Sequence, residues 1–378
     1  TKKSKRIVDE IVNRLTFLRD VGLSYLTLNR KSNTLSGGET QRINLATSLG
    51  SALVGSIYVL DEPSVGLHPE DTTRLIKILK DLKELGNSVL VVEHDEDIIR
   101  AADEIIDLGP GAGSQGGNVI AQGSINKLLN SNSLTVDYLT QNNLIEIPSL
   151  RRKSSNKIKL KGCRENNLKN INVDIPLNSL VCITGISGSG KTTLVKKILY
   201  TSLLKEKGIF KEKPGEFDNL SGNLESITSI EYIDQNPIGT SSRSNPATYI
   251  KAYDDIRTLF SNQKSSKQFN LKPKHFSFNV DGGRCDECKG EGEIKIEMQF
   301  MSDIRLKCEA CKGKKFKKTV LQVKYMDKNI DDILNMTIDN AYDFFLNNNQ
   351  TKISNKLKCL IDVGMGYVNL GQSSSTLS

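Results

Sequence analysis

The octet Gly185-Ile186-Ser187-Gly188-Ser189-Gly190-Lys191-Thr192 fits the spacing G-x-x-x-x-G-K-[ST], and Thr193 follows it. Glycines there let backbone N–H groups close on an anion without a Cβ in the way, and a helix begun at the loop adds the positive end of its dipole. In such a loop Lys191 reaches the β- and γ-phosphates of a nucleotide such as ATP, and the Thr192 hydroxyl is a ligand for Mg²⁺. Asp61 and Glu62 end the apolar run 57–60 and so emerge at the carboxyl edge of a sheet, where ligands bind. Asp61 suits a partner to Mg²⁺ and Glu62 a general base that orients an attacking water. The string Leu35-Ser36-Gly37-Gly38-Glu39-Thr40-Gln41-Arg42 opens a helix; Ser36 suits its cap, and Gly37 and Gly38 expose amides to an anion. His94 follows the apolar run 89–92, where a contact to a γ-phosphate is expected.

Cys285, Cys288, Cys308 and Cys311 form two C-x-x-C pairs nineteen residues apart. Thiolates on two such knuckles enclose one tetrahedral Zn²⁺. Each pair continues as Cys-x-x-Cys-Lys-Gly, so Gly290 and Gly313 are available for positive φ. Between them Ile294, Ile296, Met298 and Phe300 alternate with Lys295, Glu297 and Gln299, the period of a strand. Two redox dithiols are the competing reading. Cys163, Cys182 and Cys359 stand alone. Seven cysteines without a secretory signal argue against a disulfide framework.

The elements that must position these groups come in an unexpected order. Residues 15–36 and 357–378 align without a gap, sharing Asp-Val-Gly, Tyr, Leu and Thr-Leu-Ser at equivalent places, so the chain carries an internal repeat. The Ser-Gly-Gly-Glu string and the acidic strand precede the phosphate loop, the reverse of their order within one nucleotide-hydrolysing unit. Two half-units joined in one chain, the end of one and the beginning of the next, account for that order, and the expectation is a fragment of a longer protein. The runs 57–60 and 89–92, with helical spacing over 71–85 between them, predict βαβ and a parallel sheet. Residues 148–157 resemble a linker. Strands are expected at 158–160, 171–175, 180–184 and 230–234, the last ending at Gln235, and helices at 331–348 and 351–363.

At 378 residues the chain has room for two or three domains. Its net charge of +8 and the basic runs at 2–6, 151–153 and 312–318 suit a nucleic-acid partner without requiring one. No apolar run approaches the roughly 20 residues that span a bilayer, so no membrane partner is expected.

The phosphate loop, signature string, acidic strand and histidine together resemble the ABC-type ATPases, in which nucleotide lies between the phosphate loop of one unit and the signature of the other. That implies one ATP shared by Lys191 and Ser36, and a second served by Asp61, Glu62 and His94, whose phosphate loop lies upstream of Thr1. With a four-Cys module between phosphate loop and signature, the resemblance narrows to the UvrA family of bacterial nucleotide excision repair. Supporting stretches include Asn167-Leu168-Lys169-Asn170, Pro237-Ile238-Gly239 and Arg243-Ser244-Asn245-Pro246-Ala247-Thr248-Tyr249.

The implied fold class is α/β, with ABC-type P-loop ATPase halves, a mainly parallel sheet and an inserted four-Cys zinc module. Residues 1–147 would be the C-terminal part of the first ATPase domain, 148–157 a linker, and 158–378 the N-terminal part of the second with a zinc insert at 275–325. The resemblance also implies a homodimer in the cytoplasm, distorted or damaged double-stranded DNA, loading of UvrB, Gln235 as a nucleotide contact, and Lys312, Lys314, Lys315, Lys317 and Lys318 as phosphate contacts. A UvrA-like paralogue serving antibiotic self-resistance is the alternative. A transporter ATPase would lack the cysteine module.

Overall fold

The computed structural model describes residues 2–32, 35, 37–49, 54–140, 142, 145–234, 243–296 and 304–377. Ser36 and Gln235 therefore lie outside the described residues. The chain divides into two compact units: Thr1–Gly109 with Asn118–Tyr232, and Pro110–Gly117 with Ile233–Ser378.

In the first unit, α1 (Lys2–Leu18) runs into a π-helical turn at Arg19–Leu23, where Gly22 takes φ +78°. The signature string opens α2 (Gly37–Leu49). Strands β1 (Ile57–Asp61) and β2 (Ser88–Val92) pair in parallel, with Asp61 opposite Val92, and α3 (Pro69–Glu84) is the crossover that a parallel pair requires. Pro69 occupies the first turn of α3, where its missing N–H costs nothing, and His68 Nδ1 accepts the Glu70 N–H. The apolar stripe Leu75, Ile78 and Leu82 packs against Val21, Leu23 and Leu45, so the core ties the turn, α2 and α3 together.

Asp95 caps α4 (Glu96–Ala101). Strands β3 (Ile105–Gly109) and β4 (Asn118–Gly123) form an antiparallel pair. The short helices α5 (Ile125–Leu128) and α6 (Leu134–Leu139) bury Leu128, Val136 and Leu139 together. Strand β5 (Lys157–Cys163) lies between β6 (Ile171–Pro176) and β7 (Asn219–Gly222), antiparallel to both. After the phosphate loop, a π-helical stretch Thr193–Tyr200 continues into α7 (Thr201–Glu206), and its Leu194 and Ile198 bury against Leu160 and Cys163. The runs 180–184 and 230–234, expected as strands, join no ladder among the described residues. A strand exists through hydrogen bonds to a neighbour, and neither run pairs with a described strand; Leu180 is fully exposed.

The second unit is built on aromatics. Helices α8 (Pro246–Tyr249), α9 (Ala252–Ser261) and α10 (Lys264–Gln268) precede the cysteine module. Tyr253, Ile256 and Phe260 of α9 pack with Phe276, Phe278 and Phe316. The module carries the antiparallel pair β8 (Glu293–Ile296) and β9 (Ile304–Lys307), followed by α11 (Lys318–Leu321). The single helix expected at 331–348 is two, α12 (Ile330–Leu334) and α13 (Ile338–Asn347). Thr337 between them accepts the Asn340 N–H and starts a new helix. Helix α14 (Thr351–Asp362) follows, and Gly364 just beyond it takes φ +80°, matching Gly22 at the equivalent place in the other repeat copy. No helix among the described residues is long and apolar enough to cross a membrane.

Candidate functional site

The phosphate loop needs its glycines. Gly185, Gly188 and Gly190 take φ +147°, +76° and +101°, conformations that residues with a Cβ rarely adopt. Lys191 Nζ donates to the carbonyls of Gly185 at 2.7 Å and Ile186 at 2.9 Å, which holds the ammonium across the loop. Ser187 is half-buried and Thr192 exposed. Sequence reasoning assigned no role to the Asn166-Asn167 turn, yet it braces the loop. Asn167 Nδ2 donates to Gly188 O at 2.7 Å, and Asn166 Nδ2 to Thr193 Oγ1 at 3.2 Å. Two adjacent asparagines, a residue type that tolerates left-handed backbone, were the available signal, and Asn166 does take φ +55°.

The signature end of α2 reaches the same loop through one side chain. Tyr25 donates its hydroxyl to Glu39 Oε1 at 2.6 Å. Its ring lies on Gly188, where an added Cβ would come within 2.8 Å of Cδ2 and Cε2. Burial, aided by the Glu39 carboxylate, pushes the Tyr25 hydroxyl up to about 12, so it remains a donor at neutral pH. Gly37 and Gly38 form the first turn of α2, and a Cβ on Gly38 would stand 3.3 Å from the Val65 carbonyl oxygen. Arg42 Nε donates to Gly38 O at 3.2 Å, and its Nη1 lies 3.9 Å from Asp71 Oδ2, both side chains being buried. That pairing anchors the signature helix to α3.

The acidic strand ends as its sequence implies. Asp61 is the exposed last residue of β1, and Glu62 donates its N–H to Val92 O at 2.9 Å. Glu62 holds φ +45°, a conformation that costs a non-glycine residue roughly 1–3 kcal/mol unless its surroundings enforce it. Its Oε1 lies 3.6 Å from His94 Nε2. Carboxylate and imidazole thus meet at one sheet edge.

The four cysteines converge in the second unit. All four sulfurs lie within 4.8 Å of one another and all four residues are buried. Cys285 Sγ lies 3.9 Å from Cys308 Sγ, and Cys288 Sγ 3.6 Å from Cys311 Sγ. A tetrahedron with Zn–S bonds of about 2.3 Å has edges of about 3.8 Å, so the donor set fits a closed tetrathiolate zinc site. Gly290 and Gly313 take φ +87° and +81°, and Lys289 and Lys312 before them are also left-handed, at +50° and +53°. A Cβ on Gly290 would collide with the Phe278 carbonyl oxygen. The Gly292 N–H donates to Cys288 Sγ at 3.2 Å, one of the bonds that orient the cluster.

Of the lysines that follow, Lys315 points inward. Its Nζ donates to Gly371 O at 3.3 Å and lies 5.9 Å from the Phe278 ring centroid, and burial drives its pKa down. Lys317 pairs with Asp286 at 2.8 Å. Lys312, Lys314 and Lys318 are exposed.

Phosphate loop, signature helix, acidic strand and four-cysteine cluster define the class, an α/β protein built of ABC-type ATPase halves with an inserted four-cysteine module. Residues 27–99 match the family model described as "AAA domain, putative AbiEii toxin, Type IV TA system". Along 99% of its length the chain is 55% identical to UvrABC system protein A of Clostridium tetani and 53% identical to that of Clostridium perfringens, covering 40% of each. The crystal structure of UvrA2 from Deinococcus radiodurans superposes with a TM-score of 0.92 at 42% identity, over 99% of this chain and 45% of that one. The chain belongs to the UvrA family, and it spans about two fifths of the length of the curated relatives it matches.

Proposed function

We propose that this chain carries part of the ATPase and DNA-binding machinery of a nucleotide excision repair protein that recognises damaged duplex DNA, acts as a homodimer and loads UvrB. In this reading residues 1–147 close the first ATPase half, and 158–378 open the second with the zinc insert at 275–325. Lys191, Thr192, Thr193 and the loop glycines hold the phosphates of one ATP, with Ser187 and Gln235 as further contacts, and the signature Ser36-Gly37-Gly38 closes on the same ATP. Asp61, Glu62 and His94 serve a second ATP. Mg²⁺ held by Thr192 on one site and by Asp61 on the other would neutralise charge developing on the phosphates.

One observation carries the reading: Tyr25 touches both the signature residue Glu39 and Gly188 of the phosphate loop. A side chain shared by signature and phosphate loop supports a nucleotide held between two halves of a single polypeptide. Cys285, Cys288, Cys308 and Cys311 support zinc as the structural metal of the insert.

The test is fluorescence anisotropy of a UvrA-length polypeptide carrying this chain, on a lesion-bearing duplex and its undamaged twin, with and without ATP. The expected outcome is a preference for the damaged duplex that ATP modulates. Equal weak binding to both would instead support a self-resistance paralogue.

A further inference from the structure

Glu93 ends up between two loops that the sequence treats as separate. Its Oε1 accepts the Ser64 N–H at 2.7 Å, while Oε2 accepts the Ser64 hydroxyl at 2.9 Å, the His94 N–H at 3.0 Å and the Asp95 N–H at 3.3 Å. One carboxylate thereby collects four donors, two from the loop after Glu62 and two from the turn that carries His94. Three of the four are backbone N–H groups that can only donate, and a carboxylate offers both oxygens as acceptors to them. The first loop continues to Val65, whose carbonyl oxygen lies against Gly38 of the signature helix.

We propose that Glu93 is a positioning residue that locks residues 62–65 and 94–95 into one body, keeping Glu62 in its left-handed conformation beside His94 and seating Val65 under the signature. Among the described residues Glu62 has two backbone ties, its own N–H to Val92 O and its carbonyl to the Val65 N–H at 3.2 Å. Neither fixes where His94 stands. The carboxylate of Glu93 does, because it grips the backbone on both sides of the gap. The link also runs from the histidine turn of one ATP site to the signature that closes on the other.

This inference rests on reading Glu62 and His94 as a hydrolytic pair, and the experiment separates the two. In a UvrA-length polypeptide, steady-state ATP turnover is compared for the parent, Glu62→Gln, Glu93→Gln and the double variant, with Tm recorded for each. Glu62→Gln defines the share of kcat that this site supplies. Gln at position 93 keeps the size of the side chain but turns an NH₂ group towards backbone N–H donors. Glu93→Gln is expected to remove most of that share, with KM for ATP within about twofold, and the double variant to lose no more than Glu62→Gln alone, the signature of residues acting as a unit. Ser64→Ala, which deletes one of the four bonds, should lower the same share a few-fold and leave Tm unchanged.

If Glu62→Gln costs nothing, the hydrolytic reading fails and takes this inference with it. If Glu62→Gln is severe but Glu93→Gln leaves kcat intact, or raises KM alone, the positioning role is wrong and the site reading stands. Should Glu93→Gln fail to fold, an unchanged kcat in Ser64→Ala overturns the proposal.

Discussion

Tyr25 does two jobs with one side chain, and they are separable. Its ring covers Gly188, and its hydroxyl holds Glu39. Tyr25→Phe keeps the first and deletes the second, a loss of about 1 kcal/mol for a part-buried bond to a carboxylate. Binding of a fluorescent ATP analogue to the Lys191 site should therefore weaken roughly threefold to tenfold. Gly188→Ala should abolish that binding, because the new methyl meets both a left-handed backbone and the Tyr25 ring. None of this is visible in sequence. The phosphate loop and both cysteine knuckles are legible because their chemistry is local, fixed by spacings of a few residues. Tyr25 and Glu93 act across the fold, on partners set by tertiary structure, and neither has a motif of its own. Lys315 shows the converse: a run of lysines is read as surface charge, yet its burial follows from Phe278 and Gly371, distant in the chain.

At the scale of elements, α9 and α14 are joined by one carboxylate. Asp255 accepts from Lys352 Nζ and Lys356 Nζ, each at 2.7 Å, and Lys356 also donates to the Lys251 carbonyl. Partial burial opposes ionisation of Asp255, but the two ammonium groups outweigh it and hold its pKa below the usual value. A depressed carboxylate stabilises the fold above its unfolded pKa, near 3.9, and that contribution fades as pH falls through the lower folded value. Asp255→Asn is accordingly expected to cost about 1 kcal/mol at pH 7. The Tm gap between parent and variant should close as the pH is lowered below about 4. Apolar period made the long helices α3 and α14 legible, whereas short ones such as α5, α6, α8 and α10 carry too few turns to show a period. The split of 331–348 into α12 and α13 was missed because its apolar spacing continues across Thr337, whose capping role shows only in the structure. Residues 180–184 have the composition of a buried strand, but composition cannot supply the neighbour that a ladder needs.

At the scale of the molecule, the exposed lysines Lys312, Lys314 and Lys318 make DNA binding depend on salt if they meet phosphates. Replacing each with Ala should reduce the slope of log K against log salt by about 0.9 for every phosphate that is no longer neutralised. Lys315→Ala should leave the slope alone and lower Tm, since Lys315 is occupied inside the unit. An unchanged slope in the triple variant would remove the cysteine module from the DNA interface.

The second unit also brings together residues made far apart in time. Its Pro110–Gly117 segment belongs with Ile233–Ser378, and at Gly113 an added Cβ would stand 2.9 Å from Tyr367 Cβ. During synthesis at roughly 5–20 residues per second, the loop must wait on the order of tens of seconds for that partner to leave the ribosome. Until then the loop has only the β3–β4 hairpin and its own backbone bonds to hold it. This unit is therefore a late product of translation, closed by pairings between distant parts of the chain, and its aromatic core, Tyr253 to Phe345, is itself made only in the second half of that interval.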